Sequence, residues 1–149
     1  MTAKEYLSQA YHIDERIESK LLQIESLKSL ATRVTSVFSD IPNSSTSDNH
    51  RLEKIIADII DLENEILNDV NELVKSKRKV NSIINFVENP EHRTILEMRY
   101  LSFKNWESIA IELSLDLRWI YRLHSRALAD VQKFIDNFNN TPLKAIESH

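Results

Sequence analysis

Apolar residues recur at Tyr6, Ala10, Ile13, Ile17, Leu21, Ile24, Leu27, Ala31, Val34 and Phe38, mostly in steps of three and four. Such steps bring side chains to one side of a helix, so the spacing predicts a first helix roughly 50 Å long. Thr2 and Glu5 open it in the T-x-x-E order of a capping box, where each side chain satisfies a backbone N–H left free by the first turn. The polar stretch Ser39 to His50, with Pro42, breaks the pattern and predicts a loop. A second stripe then runs through Leu52, Ile55, Ile59, Leu62, Ile66, Leu73, Val80, Ile83 and Val87, and beside it lie Ile56, Ile60, Leu67, Val70 and Val74. This face is wider than one partner helix covers. Residues 1–88 therefore read as a long antiparallel, coiled-coil-like hairpin whose surplus face either meets the C-terminal part of the chain or forms a homodimer, and we expect the dimer.

Asn89-Pro90-Glu91 stops one helix and starts another: Asn89 suits an N-cap, Pro90 the first turn, and Glu91 the positive end of the helix dipole. A short helix from Glu91 to about Leu101 is expected. Asn105 is placed to cap Trp106 to Leu113, and Asp116 to cap a last helix from Leu117 to about Phe138. The sequence thus predicts an all-α chain, with a hairpin over 1–88, a three-helix domain over 89–138 and a frayed tail over 139–149.

Composition sharpens this. The chain has 149 residues and no glycine, where an average chain carries roughly 7%. Phosphate-cradling loops of the P-loop or dinucleotide type need glycine for their backbone angles and close approach, so those functions are excluded. With no cysteine, disulfides and thiolate metal sites are excluded as well. No apolar run is long enough for a membrane span, and the N-terminus lacks an apolar secretory core, so the expected location is the cytoplasm. The net charge of −4 argues against sequence-blind coating of nucleic acid. The acidic excess lies before Pro90, and the remainder carries eight charges of each sign.

The segment from Asn105 to Val131, NWESIAIELSLDLRWIYRLHSRALADV, holds two amphipathic helices joined by Ser114, Leu115 and Asp116. Ile109, Ala110 and Leu113 face inward on the first, and Ile120, Leu123, Ala127 and Val131 on the second. Small Ala110 lets the two cross closely. This is helix-turn-helix patterning, in which the second helix enters the major groove of double-stranded DNA. Arg118, Arg122 and Arg126 stand four apart, on one face of that helix, with Tyr121 and Ser125 beside them. A guanidinium can bridge the two acceptors of guanine or clamp a phosphate, whereas on an ordinary helix the same stripe would be a solvated face.

At these residues the chain resembles region four of bacterial sigma factors, a promoter-reading domain. Ile109-Ala110-Ile111-Glu112-Leu113 and Ser125-Arg126-Ala127-Leu128 carry the resemblance, and Arg99-Tyr100 matches the family's preceding short helix. It covers about fifty residues. It implies that Leu117, Arg118 and Arg122 occupy base-reading positions, although Leu117 replaces a basic residue and Arg118 an acidic one, so the family's DNA sequence does not carry over. Ser114 stands where the family has glycine, and it must accept a less favourable backbone angle. The whole chain is similar to small phage and prophage proteins of Gram-positive bacteria, on the stretches MTAKEYLSQAYHIDERIESKL and LEMRYLSFKNWESIAIEL. That likeness implies a regulator of phage late genes in a bacterial host cell.

Other chemistry is thin. The histidines at 12, 50, 92, 124 and 149 form no metal-ligand spacing, and they read as surface or cap residues. No nucleophile and base are paired, so no enzyme, metal or cofactor is expected. Trp106 reads as core. Trp119 lies between the core face and the arginines, where it covers the core rim or else touches the sugar-phosphate backbone or the N-terminal helices. The function expected is sequence-specific DNA binding by a transcriptional activator, with Arg118 and Arg122 on bases and Arg126 on phosphate or an acidic neighbour. Two rivals are a protein-interaction module that binds RNA polymerase without reading DNA, and a structural helical scaffold.

Overall fold

The computed structural model describes residues 1–40 and 46–140, without the side chains of 37–40 and 46–48. The described residues are all helical apart from short connections: α1 Ala3–Leu7, α2 Gln9–Asp40, α3 Thr46–Ile84, α4 Pro90–Tyr100, α5 Trp106–Leu113 and α6 Leu117–Asn140. The all-α expectation holds. The chain divides into two compact units, one of residues 1–12 and 74–149, the other of 13–73.

Three local expectations change. The first helix is interrupted at Ser8, whose N–H bonds the Lys4 carbonyl while its own carbonyl accepts from His12. Ala3, Leu7 and Ala10 are buried, and the Ala3 N–H donates to the Gln132 side chain on α6 at 2.7 Å. The short α1 thus packs against α6, a tertiary contact that no local pattern signals. The loop expected over Ser39 to His50 contracts, because Ser39 and Asp40 belong to α2 and Thr46 to His50 to α3; its middle, 41–45, lies outside the described residues. A polar stretch marks solvation, and an exposed helix is as well solvated as a loop. Of the expected frayed tail, Asn139 and Asn140 are helical, and 141–149 lie outside the described residues.

In the unit of residues 13–73, α2 and α3 run antiparallel. Arg16 pairs with Asp69 at 3.0 Å and Glu72 at 2.8 Å, whereas Lys20, one turn on, pairs with Asp69 at 2.6 Å and reaches back toward Glu65 at 3.9 Å. Asp69 is buried, and its hydrogen bond to Lys20, with that to Arg16, holds its carboxyl below the ordinary carboxylate range despite the opposing cost of burial. Ile17, Ile24 and Ile55 are buried along the same seam.

In the other unit α6 is the element on which α1, α4 and α5 pack. Its buried residues, Ile120, Leu123, Ala127, Val131 and Ile135, recur at three or four and form one face. Ile95, Leu96 and Tyr100 of α4 and Ile109 of α5 are buried with them. The expected caps are present. Asn89 accepts from the N–H groups of Glu91 and His92, Asn105 from that of Ser108, and Asp116 from that of Trp119; Thr2 and Glu5 complete their capping box.

The turn between α5 and α6 settles the question raised by the missing glycine. Ser114 adopts φ 53°, ψ 41°, the left-handed conformation. Its N–H bonds the Ile111 carbonyl and the Leu115 N–H bonds the Ala110 carbonyl, the pair of bonds that closes a helix in a Schellman motif. A residue with a Cβ pays roughly 1–2 kcal/mol there. Ser114→Gly should therefore stabilise the protein by about 0.5–1 kcal/mol, since relief of this cost outweighs the entropy that glycine adds to the unfolded chain. Urea melts of parent and variant read this directly, and an unchanged or lower midpoint would contradict it.

Candidate nucleic-acid interface

The outward side of α6 is set by its inward side. With Ile120, Leu123 and Ala127 buried on one face, the opposite face, which carries Arg118, Tyr121, Arg122, Ser125 and Arg126, is turned to solvent. Arg118, Tyr121, Arg122, Ser125 and Arg126 come together there as the lining of one shallow, open depression. Five of the six residues expected on this face are thus neighbours. Leu117, the sixth, is half-buried and does not join them. Among the described residues no carboxylate pairs with Arg118 or Arg122, and both are exposed. Arg126 lies over the Trp119 ring at 5.3 Å, so it rests on an aromatic face, and among the described residues it forms no ion pair. Trp119, half-buried, is thereby placed as a platform for Arg126.

An aromatic cluster supports this surface from behind. Tyr121 meets the edge of Trp106 at 5.7 Å, and Trp106 meets His124 at 4.4 Å. Tyr100 of α4 stacks on His124, and its hydroxyl lies 2.6 Å from His124 Nε2. Arg99 covers Trp106 at 4.5 Å and donates to the Lys104 carbonyl, and Lys104 pairs with Glu112 at 2.6 Å. The cluster thus joins α4, the start of α5 and the middle of α6. Trp106 is half-buried in it, in keeping with a packing role.

Burial pushes the Tyr100 hydroxyl up to about 12, with Arg99 acting weakly the other way. Burial also holds His124 down to about 4, and the charges of Lys4 and Arg99 add to the effect. Both groups are therefore neutral near pH 7. We assign Tyr100 as donor and His124 Nε2 as acceptor, which puts the imidazole proton on Nδ1. Sequence reasoning gave the histidines surface or cap roles and missed this one. The partners are 24 residues apart, and neither periodicity nor spacing links them. His92 was missed likewise: its Nδ1 lies 2.6 Å from an Asp130 carboxylate oxygen and ties α4 to α6.

A further concavity had no sequence signal either. Phe86 and Phe134 stack at 4.5 Å, and with Met1, Tyr6, Ile83 and Phe138 they line an apolar groove. Among the described residues no group of His, Asp or Glu could hold a metal ion, and no helix is long and apolar enough to cross a membrane.

These features define a small all-helical protein with a tightly capped helix pair and an exposed arginine face on the second helix. The chain belongs to the family described as protein of unknown function (DUF1492), whose profile matches residues 43–132, a stretch that includes α3, α4, α5 and the arginine face of α6. No curated protein and no solved structure matches it.

The cluster has a consequence for acid stability. The unfolded His124 takes up its proton near 6.5, the folded one only near 4. Above pH 6.5 both states are neutral. As pH falls through the interval the unfolded state binds the proton first and stability declines, and below about 4 the loss levels off. For a half-buried ring the loss should be on the order of 1–2 kcal/mol. Thermal melts from pH 7 to 4 should show this slope in the parent and a flatter one in His124→Phe; equal slopes would remove His124 as the cause.

Proposed function

We propose that the protein binds double-stranded DNA sequence-specifically through the outward face of α6, and acts as a transcriptional activator of phage or prophage genes. The observation that carries this reading is the pair Arg118 and Arg122, exposed and without a carboxylate partner among the described residues. An unpaired guanidinium keeps all its donors available to a ligand. These two present free donor forks on the second helix of a short-turn pair, the position that enters the major groove in helix-turn-helix proteins. From Arg118 to Arg126 the stripe spans roughly 12 Å along the axis, comparable to the width of that groove.

Each neighbour has a part to play. Arg118 and Arg122 suit bidentate contact with guanine edges. Arg126, held over Trp119, has fewer conformations to lose and suits a phosphate. The Ser125 hydroxyl and the Tyr121 phenol can donate to the sugar-phosphate backbone, with Tyr121 steadied by Trp106. Half-buried Leu117 offers at most an apolar edge, such as a thymine methyl group would meet. The net charge of −4 confines attraction to this face, so specific contacts outweigh general electrostatic attraction. The phage context rests on the resemblance of the whole chain.

One observation favours a second reading. Ile111 on α5 is 79% exposed, an uncovered apolar side chain away from the arginines. It fits a module that contacts RNA polymerase or another protein. Retention of polymerase binding by an Arg118→Ala, Arg122→Ala double variant, with no DNA site recovered from either protein, would favour it.

Selection of bound sequences from a random DNA pool at fixed salt supplies the preferred site. Arg122→Ala should then weaken binding to that site by about 1–3 kcal/mol and relax specificity at one base pair. Equal binding of parent and variant across a panel of sites would remove Arg122 from base readout.

A further inference from the structure

Helix α3 carries two stripes of the same repeat. Ile55, Ile59, Leu62, Ile66 and Asp69 follow alternating steps of four and three and form the seam with α2. Displaced by one residue, Ile56, Ile60, Glu63, Leu67 and Val70 follow the same steps. This second stripe is uncovered: Ile60 is 51% and Leu67 64% exposed, with Ile56 and Val70 exposed beside them. A repeat alternating three and four over several turns is the pattern that packs against another helix of the same repeat.

We propose that this stripe is the interface of a homodimer in which α3 lies antiparallel to α3 of a second copy. Two observations select that occupant. The positions along the stripe's outer flank are Ala57, Asn64 and Asn71, all uncharged; Lys54, Asp61 and Asn68 come next around the helix, and the acids Asp58, Glu65 and Glu72 lie beyond them. Identical helices can therefore meet along this edge without like charges facing each other. A different partner would be chosen by charge at the flank, and there is none to choose it. The direction follows from Glu63. A parallel, in-register pair would set Glu63 against its own copy inside the apolar stripe. An antiparallel pair about an axis at position 65 sets Ile60 against Val70 of the second copy and Glu63 against Leu67, with Asn64 near Asn64. The pairing makes no use of the arginine face and stands whether or not the protein binds DNA.

The full chain should behave as a dimer at micromolar concentration in analytical ultracentrifugation. Leu67→Asp should raise the dissociation constant roughly hundredfold or more, because the lost apolar contact and the introduced charge are felt twice. Helical content by circular dichroism should persist, since Leu67 is exposed within its own chain. Glu63→Leu should lower the dissociation constant. The chain has no cysteine, so single reporters are unambiguous. A short thiol-specific crosslinker should join two copies of Asn64→Cys. It should fail on Ile56→Cys, whose two copies are about 27 Å apart along the axis in the antiparallel arrangement. A monomeric parent, a dimer unaffected by Leu67→Asp, or crosslinking at Ile56→Cys in place of Asn64→Cys would each overturn the proposal.

Discussion

Burial of one face of α6 is the interaction on which the C-terminal part of the protein depends. Ile120, Leu123, Ala127, Val131 and Ile135 supply a continuous apolar strip, and α1, α4 and α5 all pack on that helix. Each fully buried aliphatic side chain contributes on the order of 1.5–3 kcal/mol, so this strip outweighs any single polar contact around it. The same burial fixes what faces outward. Once the strip is inside, Arg118, Arg122 and Arg126 have no freedom to turn away from solvent. The candidate interface is thus a by-product of core packing as well as a choice of residues.

The absence of glycine makes the connections between these helices informative. Ser114 and Phe103 both take positive φ, at 53° and 57°. Each carries a cost that glycine would avoid, and each is held by contacts close by. At Ser114 the hold is the pair of backbone bonds that closes α5. At Phe103 the ring meets the edge of Tyr11 at 5.7 Å and carries the Lys77 ammonium over its face at 4.7 Å. Glycine at Phe103 would forfeit both ring contacts. The side chain thus has a reason to be there that outweighs the backbone cost, whereas at Ser114 no such contact competes.

Polar groups between α4 and α6 add specificity to a core whose apolar residues could pack in several ways. Tyr100 with His124, and His92 with Asp130, join these helices at two heights. The first pair, buried Tyr100 with half-buried His124, is neutral, so it supplies direction without the desolvation cost of charge. It also places Trp106 between His124 and Tyr121, which carries the register of the core out to the arginine face.

The sequence by itself determined what depends on near neighbours. The caps at Thr2, Asn89, Asn105 and Asp116 were legible because a capping side chain bonds a backbone group two or three residues away. The unfavourable backbone angle at Ser114 was implied by the family resemblance, which has glycine there, and the shared face of the arginines followed from the helical repeat. The break at Ser8, the docking of α1 through Ala3 on Gln132, the turn of Arg126 onto Trp119 and the pairing of His124 with Tyr100 were decided only by the tertiary structure. Periodicity states which side of a helix is apolar, but several apolar faces compete for the same cover. Which face meets which is settled by the burial of the whole, and polar side chains at the rim then take whatever partner that packing brings within reach.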